Sequence, residues 1–248
     1  MELLKKNTHE ETDKHVVMQL HGGGYVNAFK TQYRRMAQWY SEAYNYADVL
    51  SIDYRVAPEN SFPAPLEDAA EAYRWLLENG YRSENIIVAG DSAGGGLALV
   101  LCLYLRDEGM PLPAGLICMS PWTDLTMSNP SYRDNYEKDI IIGDTQNSII
   151  VDNPYLENAD TSDPYMSPLF GDPTGLPPIL IQVGTNEMLY DDSRLFCEKA
   201  RQAGVKVRLT EYEDMFHVFQ LCGPMLDESK AAWEEIEEFT TYLSRSNK

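Results

Sequence analysis

The pentapeptide Gly90-Asp91-Ser92-Ala93-Gly94 sets one serine between glycines two positions before and two after it. That is the spacing of a nucleophile elbow, provided a strand precedes it and a helix follows. A serine hydroxyl is a weak nucleophile by itself. It needs an imidazole to take its proton and a carboxylate to orient that imidazole. On strand-turn-helix scaffolds of this kind the order along the chain is nucleophile, acid, histidine. Of His9, His15, His21 and His217, only His217 follows Ser92, so His217 is the expected base. The stretch Thr185-Asn186-Glu187-Met188-Leu189-Tyr190-Asp191-Asp192 offers the acid. Asp191 and Asp192 stand just before an expected helix, where capping accounts for an aspartate. Glu187 has no such structural reason to be there and is the expected acid, with Asp191 as the alternative. Upstream, His21-Gly22-Gly23-Gly24-Tyr25 lets backbone N–H groups come close to a bound atom. Beside a serine nucleophile, the use for such a run is an oxyanion hole. A phosphate cradle would need a following Lys-Ser/Thr, which is missing.

These residues must be positioned by a sheet. Asn85 to Ala89 is a short β-branched apolar run that reads as a buried strand. Residues 95–105 are apolar on nearly every side and read as a buried helix closed by Arg106 and Gly109. His15 to Leu20 is a strand running into the glycines. A helix is expected over 31–45, a strand over Ala47 to Tyr54 and a helix over Leu66 to Asn79. Strands follow at Leu116 to Ser120 and Ile179 to Gly184, with a helix over Ser193 to Ala203 between the latter and Val205 to Leu209. Val205 to Leu209 alternates apolar and basic residues, as a half-exposed edge strand does. A last helix carries Ala232, Trp233, Ile236, Phe239 and Leu243 at helical spacing. Met1 to Lys6 is either the end of a strand or frayed coil. Residues 123–177 form a long, weakly patterned insertion expected to contribute to the rim of the site. Alternating strands and helices predict an α/β fold with a mostly parallel sheet, helices on both faces, and a site at the strands' carboxyl ends. One domain over residues 1–248 is expected.

The chain resembles the hormone-sensitive-lipase-like group of α/β-hydrolase esterases over nearly its whole length. The resemblance rests on His21-Gly22-Gly23-Gly24-Tyr25, Tyr54-Arg55-Val56-Ala57-Pro58-Glu59, Gly90-Asp91-Ser92-Ala93-Gly94-Gly95, Ser120-Pro121-Trp122-Thr123-Asp124-Leu125, Tyr165-Met166-Ser167-Pro168-Leu169 and the His217 loop. It implies an α/β-hydrolase fold with Ser92 as nucleophile and His217 as base. It also implies the N–H groups of Gly22, Gly23 and Ala93 as oxyanion hole. The family acid is usually Asp; Glu187 aligns there. The implied activity is carboxylesterase action on short acyl chains, acetyl to hexanoyl, with neither metal nor organic cofactor. The alternatives are a lactone or amide hydrolase with the same triad, or a weakly active or non-catalytic small-molecule-binding homologue. Hydrolysis of p-nitrophenyl acetate separates these. Family members carry a cap segment and two strands before the His-Gly-Gly strand, whereas twenty residues precede His21 here. A short N-terminus, a reduced cap and an open site are therefore expected. So is a partly unpaired edge over Ala47 to Tyr54 exposing Val49, Leu50 and Ile52, and a tendency to associate. That edge and the one at Val205 to Leu209 leave a homodimer open.

Composition narrows the partners. A net charge of −19 over 248 residues argues against nucleic acid and anionic membrane surfaces. No apolar run approaches the length of a membrane span. Cys102, Cys118, Cys197 and Cys222 are scattered without paired spacing. Buried thiols in the cytoplasm are expected, rather than a zinc site or a disulfide framework.

Overall fold

The computed structural model describes residues 1–6, 14–143, 150 and 153–246; His9 lies outside them. The elements in chain order are β1 (Glu2–Leu4), β2 (Val16–Leu20), α1 (Gln32–Ala43), β3 (Asp48–Ile52), α2 (Ala64–Glu78), β4 (Ile86–Asp91), α3 (Ala93–Asp107), β5 (Gly115–Met119), α4 (Ser131–Asp134), β6 (Ile179–Gly184), α5 (Tyr190–Gln202), β7 (Val207–Tyr212) and α6 (Asp227–Ser246). The seven strands form one sheet in the order β1-β3-β2-β4-β5-β6-β7. Only β1 is antiparallel to its neighbour; every other pairing is parallel. This is the α/β-hydrolase architecture, with helices packed on both faces.

The apolar runs without strict alternation follow from that double covering. Successive strand residues point to opposite faces, and here each face meets helices. Val16, Met18 and Leu20 of β2 join Ile86 and Val88 of β4 in one core, with residues of α2, α3 and α5. Val17, Ile87, Ala89 and Ile117 join the other, with residues of α1 and α6. Helix α3 is wrapped on nearly every side, from Ala93 to Leu105, which accounts for its lack of an amphipathic pattern.

Several boundaries depart from the sequence reading. Met1 to Lys6 supplies a three-residue strand, and it pairs with β3 from Glu2 opposite Ser51 to Leu4 opposite Val49. The expected exposure of Val49, Leu50 and Ile52 does not occur. All three are at most 3% exposed, because helices cover both faces of β3 whatever happens at its backbone edge. Helix α5 starts at Tyr190, so Asp191 and Asp192 lie inside its first turn. There their charge complements the helix dipole. Strand β7 begins two residues later than expected, because the N–H of Val205 closes α5 by donating to the carbonyl of Ala200 at 3.0 Å. It then runs on to Tyr212, in parallel register with all of β6. Among the described residues, no helix is long and apolar enough to cross a membrane.

Candidate active site

Strand register brings the site together. Leu20 at the end of β2 lies opposite Gly90 near the end of β4, so the glycine loop after β2 stands beside the turn after β4. At that turn Ser92 has φ 53 and ψ −122. A non-glycine residue in such a conformation costs on the order of 1–3 kcal/mol and persists only where the surroundings enforce it. Here they do. The N–H of Ser92 donates to the carbonyl of Met119 at 2.9 Å, and the Ser92 carbonyl accepts from Trp122 N–H at 3.0 Å. The flanking glycines are needed for close approach. A Cβ on Gly90 would sit 2.3 Å from the carbonyl oxygen of Gly94, and one on Gly94 would sit 2.2 Å from that of Leu20.

At the other side of the sheet, Gly184 ends β6 opposite Tyr212 at the end of β7. The loops that follow these strands carry Glu187 and His217. His217 Nε2 lies 2.8 Å from Ser92 Oγ, and His217 Nδ1 lies 2.9 Å from Glu187 Oε2. With Nδ1–H donating to the carboxylate, Nε2 is left to accept the serine proton. Ser92 is 6% exposed, His217 5% and Glu187 not at all. Burial acts to push the His217 pKa down, but the Glu187 carboxylate outweighs it and holds the imidazole above its ordinary value. Burial raises the Glu187 carboxyl, opposed by its contacts with His217, Gly184 and Ser120.

The contacts of Glu187 include one residue that was given no role from sequence. Its Oε1 accepts from Gly184 N–H at 2.5 Å and from the Ser120 hydroxyl at 2.8 Å. Ser120 Oγ in turn accepts from the N–H of Val218, next to His217, at 3.2 Å. Ser120 thus ties the acid and the histidine loop to the end of β5. In the sequence it is marked by its place at the end of a strand of the same sheet and by opening the Ser120-Pro121-Trp122-Thr123-Asp124-Leu125 motif. Asp191 is elsewhere. Its carboxylate accepts from Ser131 N–H at 3.0 Å and faces Arg194, and no contact with His217 occurs among the described residues.

The oxyanion expectation needs one correction. The N–H of Gly22 is already committed, 3.1 Å from Asp91 Oδ1 and 3.0 Å from the Tyr33 hydroxyl oxygen. Gly22, two residues past the end of β2, lies against Asp91 at the end of β4, and its N–H is taken up by the Asp91 carboxylate and the Tyr33 hydroxyl. The N–H groups of Gly23, Gly24 and Ala93 donate to no acceptor among the described residues. Ala93 opens α3, whose N-terminus favours negative charge at this point.

Ser92 and His217 line a cleft of about 380 Å3. Its lining combines polar residues, among them Asn27, Lys30 and Tyr33, with apolar ones, among them Ile141, Ile142, Phe216 and Leu221. Ile141 and Ile142 come from the weakly patterned 123–177 stretch. Ile141 is 49% exposed and Met225, also on the cleft, 80% exposed. Asp192 fastens the start of that stretch. Its Oδ2 accepts from the N–H groups of Thr123 and Asp124, both at 2.8 Å, and from the Tyr132 hydroxyl at 3.1 Å. Its Oδ1 accepts from Asn129 at 2.9 Å. Asp192→Ala strands these buried donors, so we expect a loss of about 3 kcal/mol in stability, read from the urea midpoint at constant slope.

The comparisons with known proteins agree with this architecture. A family model described as the α/β hydrolase fold matches residues 17–221. An acetyl-hydrolase of Streptomyces hygroscopicus is 41% identical over 222 residues, which cover 90% of this chain and 74% of that protein. An esterase of Acinetobacter venetianus is 37% identical over 229 residues, covering 92% and 75%. Among solved structures, an esterase/lipase from an uncultured bacterium matches with a TM-score of 0.87 at 42% identity, over 92% of this chain and 76% of that one. An esterase from the bacterial hormone-sensitive lipase family matches with a TM-score of 0.85 at 42% identity, again over 92% and 76%.

Proposed function

Because this chain belongs to the hormone-sensitive-lipase-like family of α/β-hydrolase esterases and is a carboxylic ester hydrolase, we propose that it cleaves short-chain acyl esters, acetyl to hexanoyl, through Ser92, His217 and Glu187. The observation that carries this reading is the unbroken line of contacts from Ser92 Oγ through the imidazole to the buried Glu187 carboxylate, at 2.8 and 2.9 Å. Ser92 Oγ attacks the ester carbonyl while His217 Nε2 takes its proton. Glu187 holds Nδ1–H and stabilises the imidazolium that forms. The N–H groups of Gly23, Gly24 and Ala93 receive the oxyanion, supported by the N-terminus of α3. The imidazolium then protonates the leaving alcohol. Water, activated by the same nitrogen, releases the acid from the acyl-serine. The acetyl-hydrolase relative and the small cleft support a short acyl group. The free thiols of all four cysteines, three of them buried, fit a cytoplasmic setting.

Hydrolysis of p-nitrophenyl acetate, with covalent labelling of Ser92 by a fluorophosphonate, tests the reading. Turnover of the acetate to hexanoate esters, and loss of rate beyond them, is the expected result. No labelling at Ser92 would overturn it. The pH profile adds an independent check. The imidazole must be neutral to accept a proton, and its pKa is raised above 6.5. Activity is therefore present above that raised pKa and is lost as pH falls through it. The acid limb of kcat/KM should have its midpoint above 6.5, the ordinary value, since that limb reports the free enzyme's base.

A further inference from the structure

Asp91, the residue between glycine and serine in the elbow, has no part in the chemistry above. It is 2% exposed, and burial pushes its carboxyl up to about 6, against the pull of Tyr33, His217 and Gly22. A buried carboxylate costs stability unless its contacts make it useful. Two hydrogen bonds to its carboxylate lead to the oxyanion loop, one directly and one through Tyr33 of α1. Oδ1 accepts from Gly22 N–H at 3.1 Å, and Oδ2 accepts from the Tyr33 hydroxyl at 3.1 Å. The Tyr33 oxygen also lies 3.0 Å from Gly22 N. The fit leaves no room for a side chain at position 22, where a Cβ would stand 2.3 Å from Asp91 Oδ2. The other side of the same residue is held too, since His21 Nδ1 lies 2.8 Å from the carbonyl oxygen of Gly22.

We infer that Asp91 is a positioning residue, whose carboxylate, together with the Tyr33 hydroxyl, pins Gly22 and so sets the next N–H groups of the loop at a fixed distance from Ser92. This rests on the esterase reading. Asp91 is bonded covalently to the nucleophile, so a hydrogen bond from Gly22 to its carboxylate ties the oxyanion donors to the nucleophile by the shortest available route. An error of about 1 Å in such a placement costs on the order of a hundredfold in rate. A carboxylate is suited to the task because it only accepts. It takes the peptide N–H on one oxygen and the phenol on the other. Asparagine keeps one acceptor for Gly22 and turns an NH2 toward Tyr33, which can accept in its place.

The test compares Asp91→Ala, Asp91→Asn and Tyr33→Phe on p-nitrophenyl acetate, with hydrogen–deuterium exchange of the Gly22–Gly24 segment. Asp91→Ala should lower kcat by about a hundredfold, the scale of a lost oxyanion donor, with KM within about threefold. Asp91→Asn should recover at least about tenfold of that loss, and Tyr33→Phe should cost about tenfold in kcat. Exchange in the loop should speed up in Asp91→Ala and stay near wild type in Asp91→Asn. A kcat for Asp91→Ala within about threefold of wild type, or an Asn variant no better than Ala, overturns the inference. Should Asp91→Ala not fold, Tyr33→Phe decides it, since unchanged kcat in that variant is equally fatal. If the wild-type protein hydrolyses no ester, the esterase reading fails by itself. The exchange data still decide the tether, because protection at Gly22–Gly24 that does not depend on Asp91 rules it out.

Discussion

Ser92→Ala lowers kcat/KM on p-nitrophenyl acetate by about ten-thousandfold or more and abolishes fluorophosphonate labelling, while the circular dichroism spectrum is unchanged. Removing a nucleophile removes the covalent route altogether. What remains is the slower attack of water aided by the oxyanion donors. The fold should survive because the elbow is held by backbone bonds, from Ser92 N–H to the Met119 carbonyl and from Trp122 N–H to the Ser92 carbonyl, and these do not involve the hydroxyl. Among the described residues the hydroxyl's hydrogen-bond partner is His217 Nε2, and both residues line the cleft, where water can replace the hydroxyl. We therefore expect a change in unfolding free energy within about 1 kcal/mol. Activity within about tenfold of wild type would remove Ser92 from the mechanism.

Glu187→Gln is the second large effect, with kcat falling by about a thousand- to ten-thousandfold. The direction follows from the surroundings of the carboxylate. Gly184 N–H and the Ser120 hydroxyl both donate to Oε1. In a glutamine the amide oxygen must therefore stay at that position. The NH2 then takes the place of Oε2, facing His217 Nδ1. An NH2 there donates to Nδ1 and leaves the proton on Nε2, the wrong tautomer for accepting from Ser92. The same change removes the charge that raises the imidazole pKa, so the acid limb of the residual activity moves to lower pH. Asp191→Asn should change kcat by no more than about threefold, since Asp191 meets Ser131 and Arg194 instead. Measuring both variants on one ester ranks them. The opposite order would make Asp191 the acid.

The sequence by itself determined the features that are local. Strand and helix runs carry their own periodicity, so the alternation of elements and the mostly parallel sheet were legible before any contact was known. A serine between spaced glycines, after a strand and before a helix, identifies its own turn. His217 was legible by elimination, as the histidine that follows it. Tertiary structure decided which groups touch. Glu187 and Asp191 are four residues apart, and although a capping role for Asp191 favoured Glu187 as the acid, the sequence does not show which carboxylate meets His217. That depends on the parallel register of Gly184 with Tyr212 and on α5 beginning at Tyr190. Gly22 and Gly23 are adjacent glycines in one run. Yet once β2 pairs with β4, the first N–H meets the Asp91 carboxylate, while the second has no acceptor among the described residues. Ser120 opens one of the motifs that carry the resemblance and Tyr33 lies in the first turn of α1, but neither position says in sequence what its hydroxyl meets. Their partners lie 67 and 58 positions away along the chain. Spacing along a chain encodes the repeat of one element, while a hydrogen bond between two loops depends on how separate strands align when the sheet forms.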